Sequence, residues 1–112
     1  MNVKLGTWHF YSGISQDGDP ESGSSFDVYA MISVNIDDTS GAIFYVNIVS
    51  TDRLHAYLDM GFAEIGIMIL QKWDWDTIDA NINSLLSAAS QCDSSGSAIQ
   101  YLSRFLKYSD EY

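Results

Sequence analysis

Between Phe26 and Ile36 the side chains alternate without a break. Phe26, Val28, Ala30, Ile32, Val34 and Ile36 share one face, and Asp27, Tyr29, Met31, Ser33 and Asn35 share the other. A period of two marks a strand buried on one side. The next run, Asp37–Gly41 (DDTSG), is made of turn formers, and Ala42–Ser50 reads as the returning strand. A hairpin with Ile36 opposite Ala42, Val34 opposite Phe44, Ile32 opposite Val46 and Ala30 opposite Ile48 places every core residue on one face, as register demands.

The remaining segments fit around that hairpin. Asn2–Phe10 alternates weakly but is rich in strand formers, and predicts a first strand. Residues 11–25 form an acidic Gly/Ser-rich loop. Thr51–Met60 predicts a short helix closed by Gly61, and Glu64–Gln71 a compact apolar strand. Asp74 is a good N-cap, with Asp76 and Asp79 suited to the positive end of the helix dipole. Behind it Trp75, Ile78, Ile82, Leu85, Leu86 and Ala89 make one apolar stripe to about residue 90. Cys92–Gly96 breaks that helix, and a last helix over Ser97–Tyr108 would bury Ala98, Ile99, Leu102, Phe105 and Leu106. The expected fold class is α+β: an antiparallel sheet of about four strands, in the order βββ-α-β-αα, with helices packed on one face. With 112 residues and no internal repeat, the expectation is a single domain spanning 1–112.

Charge narrows the partners. Five Lys+Arg stand against fifteen Asp+Glu, a formal net charge of -10. Such a field repels nucleic acid and anionic membrane and speeds encounter with basic proteins, although acidity also serves solubility alone. Cys92 is the one cysteine, so no intrachain disulfide forms. Residues 1–10 lack the apolar run of a signal peptide, and no apolar stretch approaches a membrane span. The expected location is cytoplasmic.

Chemistry is scarce. His55 has no His or Cys three or four residues away, so it starts no metal site. Cys92 ends a helix beside Asp93, where negative charge opposes the thiolate. Asp37-Asp38 and Asp74 with Asp76 could be drawn as acid–base pairs, but the first lies in an open turn and Asp74 already caps a helix. Gly13, Gly18 and Gly23 lie in an acidic stretch that rejects phosphate. No enzyme activity, metal or cofactor is implied.

Candidate contact residues fall in distinct places. Asp17, Asp19 and Glu21, continuing into Asp27, would meet Lys or Arg of a basic partner or else form a solvated linker. Tyr29, Met31 and Tyr45 lie on the far face of the hairpin; Tyr and Met are common in interface cores, but Ile43 and Val49 share that face and leave a second packed layer open. Asp37 and Asp38 offer acids at the turn. The C-terminal stripe Tyr101, Phe105 and Tyr108, followed by Asp110, Glu111 and Tyr112, reads as core or as interface.

Over Phe26–Leu54 and Lys72–Tyr112 the chain resembles the immunity protein 8 family, found beside polymorphic and contact-dependent growth inhibition toxins. The strand FDVYAMISVNI, the segment FYVNIVSTDRL, the helix opening WDWDTIDANI and the closing YLSRFLKYSDEY carry the resemblance. It implies a bacterial cytosolic inhibitor that binds the C-terminal domain of a cognate toxin and blocks its active site or substrate access. A basic nuclease domain is the natural counterpart of a chain this acidic, since nucleases hold phosphates on basic surfaces. The alternatives are an acidic structural or regulatory subunit, and a small hydrolase using Asp37, Asp38, Asp74 or Asp76.

Overall fold

The strands assemble as the alternation dictates. The computed structural model describes residues 1–15, 18–21, 23–37, 41–54 and 66–109. Strands β1 (Val3–Ser12), β2 (Asp27–Ile36), β3 (Ala42–Ser50) and β4 (Ile67–Leu70) lie side by side in that order, and β5 (Lys107–Ser109) also pairs with β3. Helices α1 (Trp75–Ala89) and α2 (Ser95–Leu102) supply the cover. Val28, Ala30, Ile32, Val34, Phe44, Val46 and Ile48 turn inward, against Ile78, Ile82, Leu86, Ala98 and Leu102 from the helices.

The hairpin faces are as expected, but its register is not. Val34 pairs with Ala42, Ile32 with Phe44, Ala30 with Val46 and Val28 with Ile48. This is a slip of two residues, which leaves every side chain on its expected face. Asn35 and Ile36 run past the end of the β3 pairing and are held by β1 instead, opposite Lys4 and Val3. β1 shifts register between Leu5 and Trp8. The irregularity falls at Gly6, where a Cβ would collide with the Ser33 hydroxyl; that hydroxyl accepts a hydrogen bond from Thr7 N at 2.8 Å. One extra residue in the strand reverses its alternation. Val3, Leu5, Trp8 and Phe10 thus all pack on the core side.

Two further expectations need correction, and a third falls largely outside the described residues. The sheet is mixed: β4 runs parallel to β3, with Asn47 opposite Ile67 and Ser50 opposite Leu70. The chain between Ser50 and Ile67 is long enough for the crossover that a parallel pair requires. The expected helix over Thr51–Met60 begins as a 3-10 turn at Thr51–Arg53, and everything beyond Leu54 lies outside the described residues. The last helix stops at Leu102 rather than Tyr108, and Lys107–Ser109 pairs antiparallel with Ile43–Tyr45. β4 reaches β3 only from Asn47 onward, so the earlier half of that edge is free to take β5 and satisfy its backbone groups. Phe105, expected inside, is 45% exposed.

One polar knot ties the end of the acidic loop to the end of β3. Buried Ser50 accepts a hydrogen bond from Phe26 N at 3.0 Å and donates to the Asp52 carboxylate. Ser25 donates to the same carboxylate at 2.6 Å and accepts from Arg53 Nε at 2.8 Å. The Ser25 hydroxyl, then that of Ser50, hold the Asp52 pKa below its ordinary value. Ser50→Ala strands the buried Phe26 N–H and is expected to lower stability by about 1–3 kcal/mol. A urea midpoint matching the wild type would show that this knot holds nothing.

Candidate partner-binding surfaces

The face of the sheet turned away from the helices carries stacked aromatic rings. Tyr29 and Tyr45 are diagonal neighbours across β2 and β3, with ring centroids 5.7 Å apart and planes 10° apart. Tyr11 of β1 joins them, at 5.5 Å from Tyr29 and 6.2 Å from Tyr45. His9 stands edge-on to Tyr11 at 4.6 Å. The Tyr11 hydroxyl donates to Met31 Sδ at 3.5 Å. Partial desolvation, with Tyr45 nearby, pushes the Tyr11 pKa up. Tyr29, Met31 and Tyr45 are half-buried, and Tyr11 is 50% exposed. At one end of the stack the Asp27 carboxylate accepts from Asn47 Nδ2 at 3.3 Å. Lys107 lies opposite Tyr45 on β5.

The sequence-derived contact residues therefore do not form one patch. Asp27, Tyr29, Met31 and Tyr45 share this face. Asp37 closes the other end of β2, a strand of ten residues, which at about 3.3 Å per residue separates it from Asp27 by about 30 Å. Its carboxylate accepts from Asn2 N at 2.8 Å and its own N–H donates to Asn2 O, so it serves to anchor β1. Asp17 and Asp38 lie outside the described residues. Tyr11 was missed because β1 runs on to Ser12, into residues read as loop, and His9 because the irregularity at Gly6 reverses the phase of β1. The C-terminal stripe splits: Tyr101 is half-buried, while Phe105 and Tyr108 are exposed, Tyr108 with its ring 5.4 Å from Phe44.

A second surface lies where the acidic loop meets α1. The described residues of the loop are hydrogen-bonded to one another. Ile14 bridges to Pro20, Ser15 N donates to Asp19 O, and Glu21 N donates to Gly13 O. Gly13 holds a φ of 88°, and a Cβ there would press on Asp27 O at 2.6 Å. Asp19 and Glu21 are exposed on this loop. Across from it, Asp74 caps α1, accepting from Asp76 N at 3.2 Å and Thr77 Oγ1 at 2.7 Å. The Thr77 bond above all keeps the Asp74 pKa low. Phe10, Ile14, Ser15, Gly18, Trp73 and Trp75 line a cleft of about 430 Å³ between loop and helix. Trp75 is 41% exposed and stands edge-on to Trp8 at 5.1 Å and Phe10 at 5.9 Å.

Asp37 and Asp74, drawn above as possible acids, are both engaged in backbone hydrogen bonds. Among the described residues, no group of three or more His, Cys, Asp or Glu could hold a metal ion, and no helix is long and apolar enough to cross a membrane.

The sequence profile described as Immunity protein 8 matches residues 7–112, nearly the whole chain. The chain belongs to the immunity protein 8 family. No curated protein and no solved structure matches it. The immunity protein 8 match begins inside β1 and spans both surfaces just described, and it makes this chain an immunity protein directed against a toxin.

Proposed function

We propose that this immunity protein neutralises a basic nuclease domain at the C-terminus of its cognate toxin, in the cytoplasm, by lying across the surface where the nuclease holds its substrate. It acts by binding alone, with no catalytic step. The observation that carries the reading is the Tyr11–Tyr29–Tyr45 stack on the face turned away from α1 and α2, set in a chain of net charge -10. Stiff, partly exposed tyrosines bury large area at little entropic cost, and tyrosine is enriched among the residues that dominate binding energy. Asp27 at the end of the stack, with Asp19 and Glu21 on the adjoining loop, matches the Lys and Arg that a nuclease needs for phosphate. The same charge opposes binding to nucleic acid or an anionic membrane.

Opposite charge also raises the rate of encounter. Association with the purified toxin domain, followed by stopped flow, is expected to slow at least about tenfold between ~50 and ~500 mM salt, with a smaller change in dissociation. A rate indifferent to salt would remove the basic partner from the proposal. A toxin reading frame immediately upstream of this one identifies the domain to purify.

A further inference from the structure

The cleft between the acidic loop and α1 is lined by residues of one kind and adjoined in sequence by residues of another. Its walls are the rings of Phe10, Trp73 and Trp75 with the Ile14 side chain, and among the described residues Ser15 is the one hydroxyl-bearing residue lining it. Among the described residues no cation lines it. Carboxylates flank it in sequence on both sides: Asp19 follows Gly18 on the loop, and Asp74 and Asp76 bracket Trp75 on the helix. Lys72 is the one nearby cation adjoining these residues in sequence, and it lies close enough to lower the Asp74 pKa. The positive end of the α1 dipole amounts to about half a charge, which Asp74 and Asp76 together outweigh.

An apolar cleft whose lining residues adjoin exposed or half-buried carboxylates suits a side chain that is flat and greasy along its length and cationic at its tip. Arginine is that side chain. Its methylene stem and guanidinium plane stack on indole faces, and its five N–H donors pair with carboxylates. A neutral aliphatic group would leave those charges unmatched, and an anion would be repelled. We propose that this cleft is an arginine-binding subsite, in which Trp73 and Trp75 hold the side chain and Asp76 and Asp19 answer its charge. This deepens the function proposed above and rests on it only for the identity of the partner: the arginine belongs to the toxin, and the cleft gives the complex a second anchor beside the tyrosine face.

The subsite can be tested on this chain alone. N-acetyl-arginine methylamide is titrated into the ¹⁵N-labelled protein, following the indole N–H signals of Trp73 and Trp75, with the citrulline and norleucine counterparts run in parallel. Arginine is expected to shift both indole signals saturably, with a dissociation constant in the millimolar range. Citrulline, isosteric but uncharged, should bind at least about threefold more weakly. Trp75→Ala should abolish the response. Asp76→Asn, which removes charge without removing packing, should weaken arginine binding and leave citrulline binding unchanged. Equal binding of arginine, citrulline and norleucine would overturn the proposal, and so would indole signals that do not move with arginine. No toxin is present in this experiment, so its failure leaves the salt dependence of toxin association untouched, and the reverse also holds.

Discussion

Replacing Tyr29 and Tyr45 together by alanine is expected to weaken toxin binding about 100- to 1,000-fold while the protein stays folded. Two aromatic anchors at the centre of an interface are each worth about 2 kcal/mol or more, and neighbours that touch do not add in full. These two rings stack on each other at 5.7 Å, so they act largely as one unit. Both point away from the helices, and neither belongs to the buried core cluster. The structural loss is the ring–ring contact, about 0.5–1.5 kcal/mol, which a domain of ordinary stability survives. Calorimetry with the toxin domain gives the affinity, and thermal unfolding of each variant confirms the fold. Tyr29→Phe with Tyr45→Phe keeps the stacked area and separates the hydroxyl contribution from it. Phe105→Ala is the control, because that ring is 45% exposed on the opposite, helical side. If the tyrosine pair is silent and Phe105→Ala is damaging, the toxin docks on the helices and the sheet-face reading is wrong.

The sequence disclosed faces better than it disclosed neighbours, and the reason is physical. Alternation fixes the parity of a strand, so Tyr29, Met31 and Tyr45 could be grouped correctly. Parity is blind to a slip of two, and the hairpin register was therefore misplaced by that amount. β4 offers the four apolar residues Ile67–Leu70, a run that reads the same in either direction and carries no sign of parallel pairing. Leu102, Phe105 and Leu106 have helical spacing, yet a vacant edge on β3 outweighs that local preference and takes Lys107–Ser109 as a strand. Trp75 matched the stripe of α1, but spacing along one helix does not show that the loop from β1 folds over to face it. Asp27 and Asp37 looked alike as acids near the ends of one strand. Only the pairing of β1 shows that Asp37 is committed to Asn2.

The core should respond in the opposite way to the tyrosine face. Phe44→Ala is expected to destabilise the fold by about 3–5 kcal/mol, the range for truncating a buried phenylalanine. Phe44 is fully buried on β3, the strand that pairs with β2, β4 and β5, so the structure around it has little freedom to collapse into the space left. Its ring faces Ile32 across the hairpin and lies 5.4 Å from Tyr108. A loss of this size is a large part of the about 5–15 kcal/mol that holds a domain together, and corresponds to a fall in Tm of about 10–25 °C. Tyr108→Ala, at a ring 38% exposed beside the same phenylalanine, should do much less. A Phe44→Ala variant destabilised by under about 1 kcal/mol would mean that helices and sheet do not close on this residue. Below its Tm the same variant should bind toxin with near wild-type affinity, because the tyrosines proposed to meet the toxin are on the other side of the sheet. The two substitutions thus separate the two faces of one strand pair: loss of Tyr29 and Tyr45 removes affinity and spares Tm, and loss of Phe44 lowers Tm and spares affinity.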